Sequence, residues 1–453
     1  MDGGAAHERT GLLRACGRWT NYPHVTSGLG SEKEWVKYPA LLWHIVWHFL
    51  RHILWPITKM TLLSSPLNIL LVCVPIGIIA GHGGCSPIAV FIINSFSIIG
   101  LAGVQPFATE EISQKLSGSL GEVFRAISGN IVELIVGITA LQNGQFQVIK
   151  SSMIGSIMFN DLLVMGVCFF LGSIFNMRDD NDNGTEQSFA SVTAQTTSSL
   201  MAVSAASMIL PGFLFKIINR ADDKESTTRT ILQLSRGTAI VLLLLYVMYL
   251  VFQLKTHHNL FSVEPATTLS AQNVPDEENR NANRHQDDDD AEGVQEHMSP
   301  WSAGVVLILT TFLVSVCTYY LIDSINPVVA SFHISRNFIG LILIPMLYIK
   351  TKHFTAVVMA FEDKMNLAVG AATGSSIRIA LLDTPLLVIL GWIMNKDMDL
   401  HHETRDPHCR LALTTFIVIF TVIDGKSNWL EGVMVRIVLH VFRTRKVCHA
   451  LTH

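Results

Sequence analysis

Residues 129–166 read GNIVELIVGITALQNGQFQVIKSSMIGSIMFNDLLVMG. Two apolar runs, parted by the polar turn Gln142-Asn143-Gly144-Gln145, carry polar residues where a membrane helix accommodates them least. Glu133 stands inside the first run, and an ionised carboxylate at the centre of a membrane helix costs on the order of 3 kcal/mol or more. Asn130 lies three residues earlier, on the same face of a helix, and Gly129 and Gly137 let another helix or an ion approach the backbone closely. In the second run Ser156 and Asn160 are spaced i, i+4, again on one face. These four side chains offer carboxylate, amide and hydroxyl oxygens, the ligand type a hard cation such as calcium takes in sets of 6–8. Backbone carbonyls or a second copy of the arrangement must supply the remainder. Burial favours the neutral form of a carboxyl group, so such a site holds a proton without the metal and gives it up when the metal arrives. The plainer alternative is a hydrogen bond between helices through Asn130 and Glu133, with no ion.

The whole chain fits that membrane setting. Its 453 residues are 49% hydrophobic and only 15% charged, with a net charge of −4 and a mean hydropathy of +0.40, whereas soluble domains carry about 25% charged residues. This excludes a soluble enzyme, a basic nucleic-acid binder and a disulfide-built secreted module. The seven cysteines are scattered, without a CxxC pair, and read as small apolar residues. A bilayer core needs about 20 apolar residues per helix, and spans are expected near 66–82, 86–106, 124–142, 153–175, 193–215, 237–254, 303–323, 338–361, 367–395, 411–424 and 429–443, the last two short. Residues 1–40 are polar and lack the apolar core and cleavage site of a signal peptide, so none is expected.

The spans fall into two blocks, divided at 255–300 by a polar stretch centred on Asp276, Glu277, Glu278, Asp287, Asp288, Asp289, Asp290, Glu292 and Glu296. It reads as a solvated linker or as a field that gathers divalent cations near a pore mouth. Each block places a Gly-Ser pair early in a long apolar helix, Gly155-Ser156 and Gly374-Ser375. In each, that helix follows another with polar residues in an apolar frame, GNIVELIVGITAL in the first block and LYIKTKHFTAVV in the second. The same order in both halves points to an internal repeat. Five spans per repeat is an odd number, which inverts one copy relative to the other and puts a substrate site near the midplane where they meet.

Residues 129–166, together with FEDKMNLAVGAATGSSIRIALLDTPLLVILGWIMNKD at 361–397, resemble the two signature regions of the calcium/proton exchanger family, especially its fungal vacuolar members. FATEEIS at 107–113, VTAQTTSSLMA at 192–202, RNFIGLILIP at 336–345 and DGKSNWLEGVM at 424–434 extend the similarity over most of 60–435. The resemblance implies an all-α polytopic membrane protein with about eleven transmembrane helices: one N-terminal helix plus two inverted five-helix repeats. It divides the chain into an N-terminal polar and interfacial segment (1–60), a first helix with repeat 1 (61–254), an acidic loop (255–300) and a repeat 2 with a degenerate motif (301–453). It further implies an antiporter in the vacuolar membrane that moves calcium against protons, with Asn130, Glu133, Ser156, Asn160, Ser375 and Ser376 at the ion. Calcium and protons are the transported species, the lipid bilayer is the medium, and neither a cofactor nor nucleic acid is expected.

The chain departs from the family pattern in its second half. Where relatives have Gly-Asn-x-x-Glu-His, it has Tyr348, Ile349, Lys350, Thr351, Lys352 and His353, so that a lysine stands for a carboxylate. Arg378 replaces a glutamine, Phe159 a serine and Asn366 an aspartate, and the charges in 435–453 make that end a poor span. A tethered ammonium near Glu133 opposes a divalent cation, since the repulsion at about 4 Å exceeds 1 kcal/mol even in water. A second reading follows, in which Lys352 and Arg378 disable the second half-site and no calcium is transported. Lys352 turned aside or neutral, or a segment altered in an otherwise ordinary exchanger, would preserve the first reading.

Other features carry less. Trp43, His44, Trp47, His48, Arg51, His52 and Trp55 form a stripe that suits an interfacial helix anchored by tryptophan better than a metal site. His401, His402 and Glu403 read as a loop, Asn183-Gly184-Thr185 as a glycosylation sequon and Asp383 as a local charge partner of Arg378. Neither HExxH nor GxSxG occurs, which sets an intramembrane hydrolase behind a transporter.

Overall fold

The computed structural model describes residues 66–116, 118–176, 186–189, 191–218, 224–257, 299–400 and 406–451, all within the unit Met60–His453. The tryptophan-histidine stripe, the acidic stretch, the sequon and His401 to Glu403 lie outside the described residues. A 3-10 turn, Pro66–Val72, leads into α1 (Cys73–His82). The next helix, α2, runs from Pro87 to Lys115; Ser86 caps it by accepting from the Ala89 N–H at 3.4 Å, and Pro87 takes the first position, where its missing N–H costs nothing. There follow α3 (Gly118–Ser128), α4 (Ile131–Gln142), α5 (Phe146–Phe175), α6 (Ser191–Ile218) and α7 (Lys224–Val251), which passes into a π turn over Phe252–Thr256. The second half holds α8 (Pro300–Asp323), α9 (Ile325–Phe332), α10 (Ile344–Phe361), α11 (Met365–Ile393), α12 (Asp406–Val422) and α13 (Trp429–Leu451).

Five of these segments are long and apolar enough to cross a membrane: Pro87–Lys115, Phe146–Phe175, Arg229–Thr256, Pro300–Phe332 and Met365–Ile393; a sixth results if the bent pair Leu120–Ser128 and Ile131–Gln142 is one span. Their outward faces are apolar, with Phe96, Leu244, Met248, Ile308 and Phe312 exposed. That is the arrangement for contact with lipid, where backbone polar groups must be satisfied inside the helices. The chain is therefore a helical polytopic membrane protein. The helices outrun the expected apolar spans, because polar residues such as Thr109 to Lys115 continue the hydrogen-bonded turns beyond the apolar stretch. The expected single span 124–142 is instead two helices bent by 47° about Gly129 and Asn130.

The two halves are built alike around their signature helices. Both α5 and α11 follow a turn in which one residue adopts the left-handed conformation, Gly144 (φ 68°) and Asp363 (φ 58°). The next N–H closes a bond five residues back, Gln145 to the Ala140 carbonyl at 2.9 Å and Lys364 to the Met359 carbonyl at 2.8 Å, which satisfies a carbonyl at the preceding helix end. Each signature helix then loosens into a π segment in register, Phe159–Val164 and Ile379–Asp383. One difference is backbone-deep. Where α3 and α4 part at Gly129-Asn130, the corresponding Tyr348-Ile349 lies within the uninterrupted α10, since neither residue has the freedom of glycine or the backbone-seeking amide of asparagine.

At two glycines the halves approach backbone to backbone. A Cβ at Gly155 would collide with the Leu341 carbonyl oxygen, and one at Gly340 would lie 2.7 Å from the Val148 carbonyl oxygen. Backbone thus packs on backbone where α5 crosses the π segment Ile339–Leu343 that leads into α10. A two-residue ladder pairs β1 (Gln187–Ser188) antiparallel with β2 (Lys426–Ser427) at one face of the bundle, and Gln187 Nε2 ties it to Asp363 Oδ1 at 2.7 Å. On the other face Lys150 pairs with Asp399 at 2.5 Å, Arg236 with Asp397 at 3.4 Å, and the Leu400 N–H reaches Ser235 Oγ at 3.1 Å.

Gly155→Ala is expected to destabilise the protein by about 1–3 kcal/mol through overpacking. Gly237→Ala, at a helical position with nothing within 4 Å of the added carbon, is expected to stabilise it by up to about 1 kcal/mol. Thermal unfolding in detergent checks both.

Candidate cation site

The break at Gly129-Asn130 gives α4 an N-terminus in the middle of the bundle. Glu133 falls in its first turn, where the helix dipole favours a negative charge, and is 9% exposed. Asn130 caps α4 by position only. Its side chain turns away from the helix to donate Nδ2 to Asp383 Oδ2 at 3.3 Å, a buried contact between the two halves. Asp383 closes the π segment of α11 and is 2% exposed.

A cavity of about 520 Å³ opens beside this break, with Asn130, Glu133, Ser375 and Arg378 on its wall. Glu110, Glu122 and Arg125 also line it, and Arg125 Nη2 pairs with Glu110 Oε1 at 2.8 Å. The Arg378 guanidinium lies along α11 and donates Nη2 to Ser375 Oγ at 3.0 Å. No ion pair joins Arg378 to Asp383 among the described residues, which corrects the expected local charge pair. Helical side chains lean toward the N-terminus, so Arg378 reaches back to Ser375 while Asp383, five residues on, is held by Asn130.

The six expected ligands divide into two groups. Asn130, Glu133 and Ser375 share the cavity, whereas Ser156, Asn160 and Ser376 are buried but are not among its described lining residues. Ser156 Oγ has no hydrogen-bond partner among the described residues. Ser376 donates its hydroxyl to Asp161 Oδ1 at 2.5 Å, and Asp161 is 0% exposed in the π segment of α5. That aspartate was missed in the sequence, although it is an acidic residue in the same apolar frame as Asn160. The side chains of 348–354, Lys352 and His353 among them, lie outside the described residues.

Comparison with known proteins places this architecture. The family model described as sodium/calcium exchanger protein matches residues 86–255 and 302–444. The chain belongs to that family. It is 36% identical over 382 residues to the vacuolar calcium ion transporter of Schizosaccharomyces pombe, covering 83% of each chain. It is 33% identical to the protein of the same description in Cryptococcus neoformans var. grubii, covering 85% of this chain and 74% of that one. It is 32% identical to vacuolar cation/proton exchanger 5 of Arabidopsis thaliana, covering 83% and 79%. Among solved structures, native YfkE superposes with a TM-score of 0.65 at 25% identity, over 84% of this chain and 99% of that one. The H+/Ca2+ exchanger CAX, at 11% identity and a TM-score of 0.59, shares the fold over 85% of this chain and 92% of its own.

Two π segments interrupt the signature helices. Such segments insert one residue into a helix and frequently mark functional sites, and here each carries an aspartate bound to a polar residue of the opposite half. Ser376→Ala is expected to cost about 1–3 kcal/mol, because it removes the donor from a fully buried carboxyl group. Combined with Asp161→Leu, the same change should cost little further, and a double-mutant cycle on thermal unfolding would show a coupling of about 0.5–3 kcal/mol.

Proposed function

We propose that this chain is a calcium/proton antiporter of the vacuolar membrane, working by alternating access. The observation that carries the reading is Glu133, a carboxyl group in the first turn of a broken membrane helix and on the wall of a 520 Å³ cavity. Glu133 would supply the charge that attracts the cation, with Asn130 and Ser375 adding neutral oxygens. The helix break adds backbone carbonyls, as discontinuous helices do in other transporters. Calcium prefers 6–8 oxygens, and Ser156, Asn160 and Ser376 complete the set as the halves close on it.

Exchange follows from exclusion. A carboxyl group that coordinates a cation cannot keep its proton, so each ion leaves before the other binds. The polar contacts of Lys150, Arg236 and Ser235 with 397–400 hold one face together, and access to that face requires them to part. The finer architecture belongs to the same proposal: eleven spans, one N-terminal and two inverted sets of five, with the acidic stretch 255–300 between the sets. The like-built turns at Gly144 and Asp363 and the π segments in register support it. The relatives described as vacuolar calcium ion transporters and vacuolar cation/proton exchangers support calcium as the cargo and the vacuole as the place. They do not favour the alternative of a chain that transports no calcium.

Reconstituted in vesicles with an acidic interior, the protein is expected to accumulate radioactive calcium until a protonophore collapses the gradient. Glu133→Gln is expected to reduce that uptake to background, because an amide offers neither the charge nor an exchangeable proton. Uptake that ignores the gradient, or survives Glu133→Gln, would overturn the assignment.

A further inference from the structure

Arg378 stands in register with Phe159, three residues after the serine of each Gly-Ser pair. The two halves thus differ at this position: the first holds an apolar ring that is not among the cavity's described lining residues, the second a permanent cation on its wall. A guanidinium is always charged in proteins. Among the described residues its one hydrogen bond is to the neutral Ser375 hydroxyl, it makes no ion pair, and its buried Nε has no partner. Arg125, nearer the helix ends, differs in having Glu110 at 2.8 Å.

Two glycines flank the Arg378 side chain. A Cβ on Gly129 would lie 3.9 Å from Nε, and one on Gly374 would lie 3.7 Å from Nη1. The guanidinium therefore rests over the bare backbone of the helix break, on the wall it shares with Glu133. A sphere of 520 Å³ is about 10 Å across, so an ion on the far side of the cavity is still within that distance of the fixed charge. With an effective dielectric constant of about 20, repulsion of a divalent ion at about 10 Å amounts to on the order of a hundredfold in affinity. Reorientation of the flexible side chain reduces this.

We propose that Arg378 is a tethered cation of the transport cavity, competing with the transported divalent ion and setting the concentration at which the site half-fills. This rests on the antiporter reading, and it makes Arg378 a determinant of affinity rather than a lesion. Because repulsion scales with charge, it also predicts that removing Arg378 favours calcium over a monovalent ion.

The test is calcium binding to the purified full-length protein by calorimetry at one fixed pH, beside gradient-driven calcium uptake by the same preparations in vesicles. Arg378→Gln and Arg378→Met, two neutral replacements of different polarity, are expected to tighten calcium binding tenfold or more, with a smaller gain for sodium. Arg378→Lys, which restores the charge, is expected to bring the affinity back toward that of the unaltered chain. Equal or weaker calcium binding in both neutral variants, complete absence of binding included, would overturn the proposal, as would equal tightening in Arg378→Lys. Tightened binding without gradient-driven uptake in any form would instead remove the antiporter reading and leave the tethered cation standing.

Discussion

Water is absent from a bilayer interior, so a carboxyl group placed there must be answered by the protein or by what the protein carries. Glu133 imposes that condition on its surroundings. The helix that bears it breaks at Gly129-Asn130, which brings a helix N-terminus with its partial positive charge to the carboxyl group. The glycine lies beside the Arg378 side chain, and the asparagine ties the first half to Asp383 of the second. Loss of the break would bury the same carboxyl group in continuous helix, without the dipole and beside fewer polar groups.

The second half meets a different condition with the same framework. Its turn before the signature helix, its Gly-Ser pair and its π segment repeat those of the first half, yet Tyr348-Ile349 keeps α10 unbroken. Membrane helices stay whole unless a residue permits the chain to leave helical geometry and other groups satisfy the freed backbone. The two signature helices are therefore near copies while the helices before them are not. The first half brings the carboxyl group of Glu133 to the cavity and the second brings the guanidinium of Arg378.

Much of this was legible in the sequence, for definite reasons. Glu133 and the Gly-Ser pairs stand out because polar and small residues are rare in apolar runs, and the recurrence of the pairs marks the two helices, α5 and α11, that share a left-handed turn before them and a π segment within them. The apolar runs located the helices but not their ends, since hydrogen bonding continues past the lipid-facing stretch. The break at Gly129-Asn130 was hidden because apolar residues flank it closely on both sides, so periodicity runs through it. Asp161 was overlooked beside Asn160, and Asp383 was paired with the wrong residue. Its partner, Asn130, is 253 positions away, and no local rule of spacing reaches that far. The grouping of Asn130, Glu133 and Ser375 apart from Ser156, Asn160 and Ser376 also depends on how helices lie side by side, which spacing along one helix does not encode.

The seam at Gly155 and Gly340 has a mechanical meaning. Interlocked side chains resist sliding, because every knob must leave its hole before it can enter the next. Where α5 meets the segment before α10, each glycine lies against a carbonyl oxygen, and the only side-chain atoms among its nearest neighbours are the small Cβ of Ser151 and the ring of Pro345. Such a surface behaves like a smooth bearing, with low resistance to shear of small amplitude and high resistance to separation. A protein that must present one cavity to two compartments in turn is well served by a joint that slips more easily than it opens.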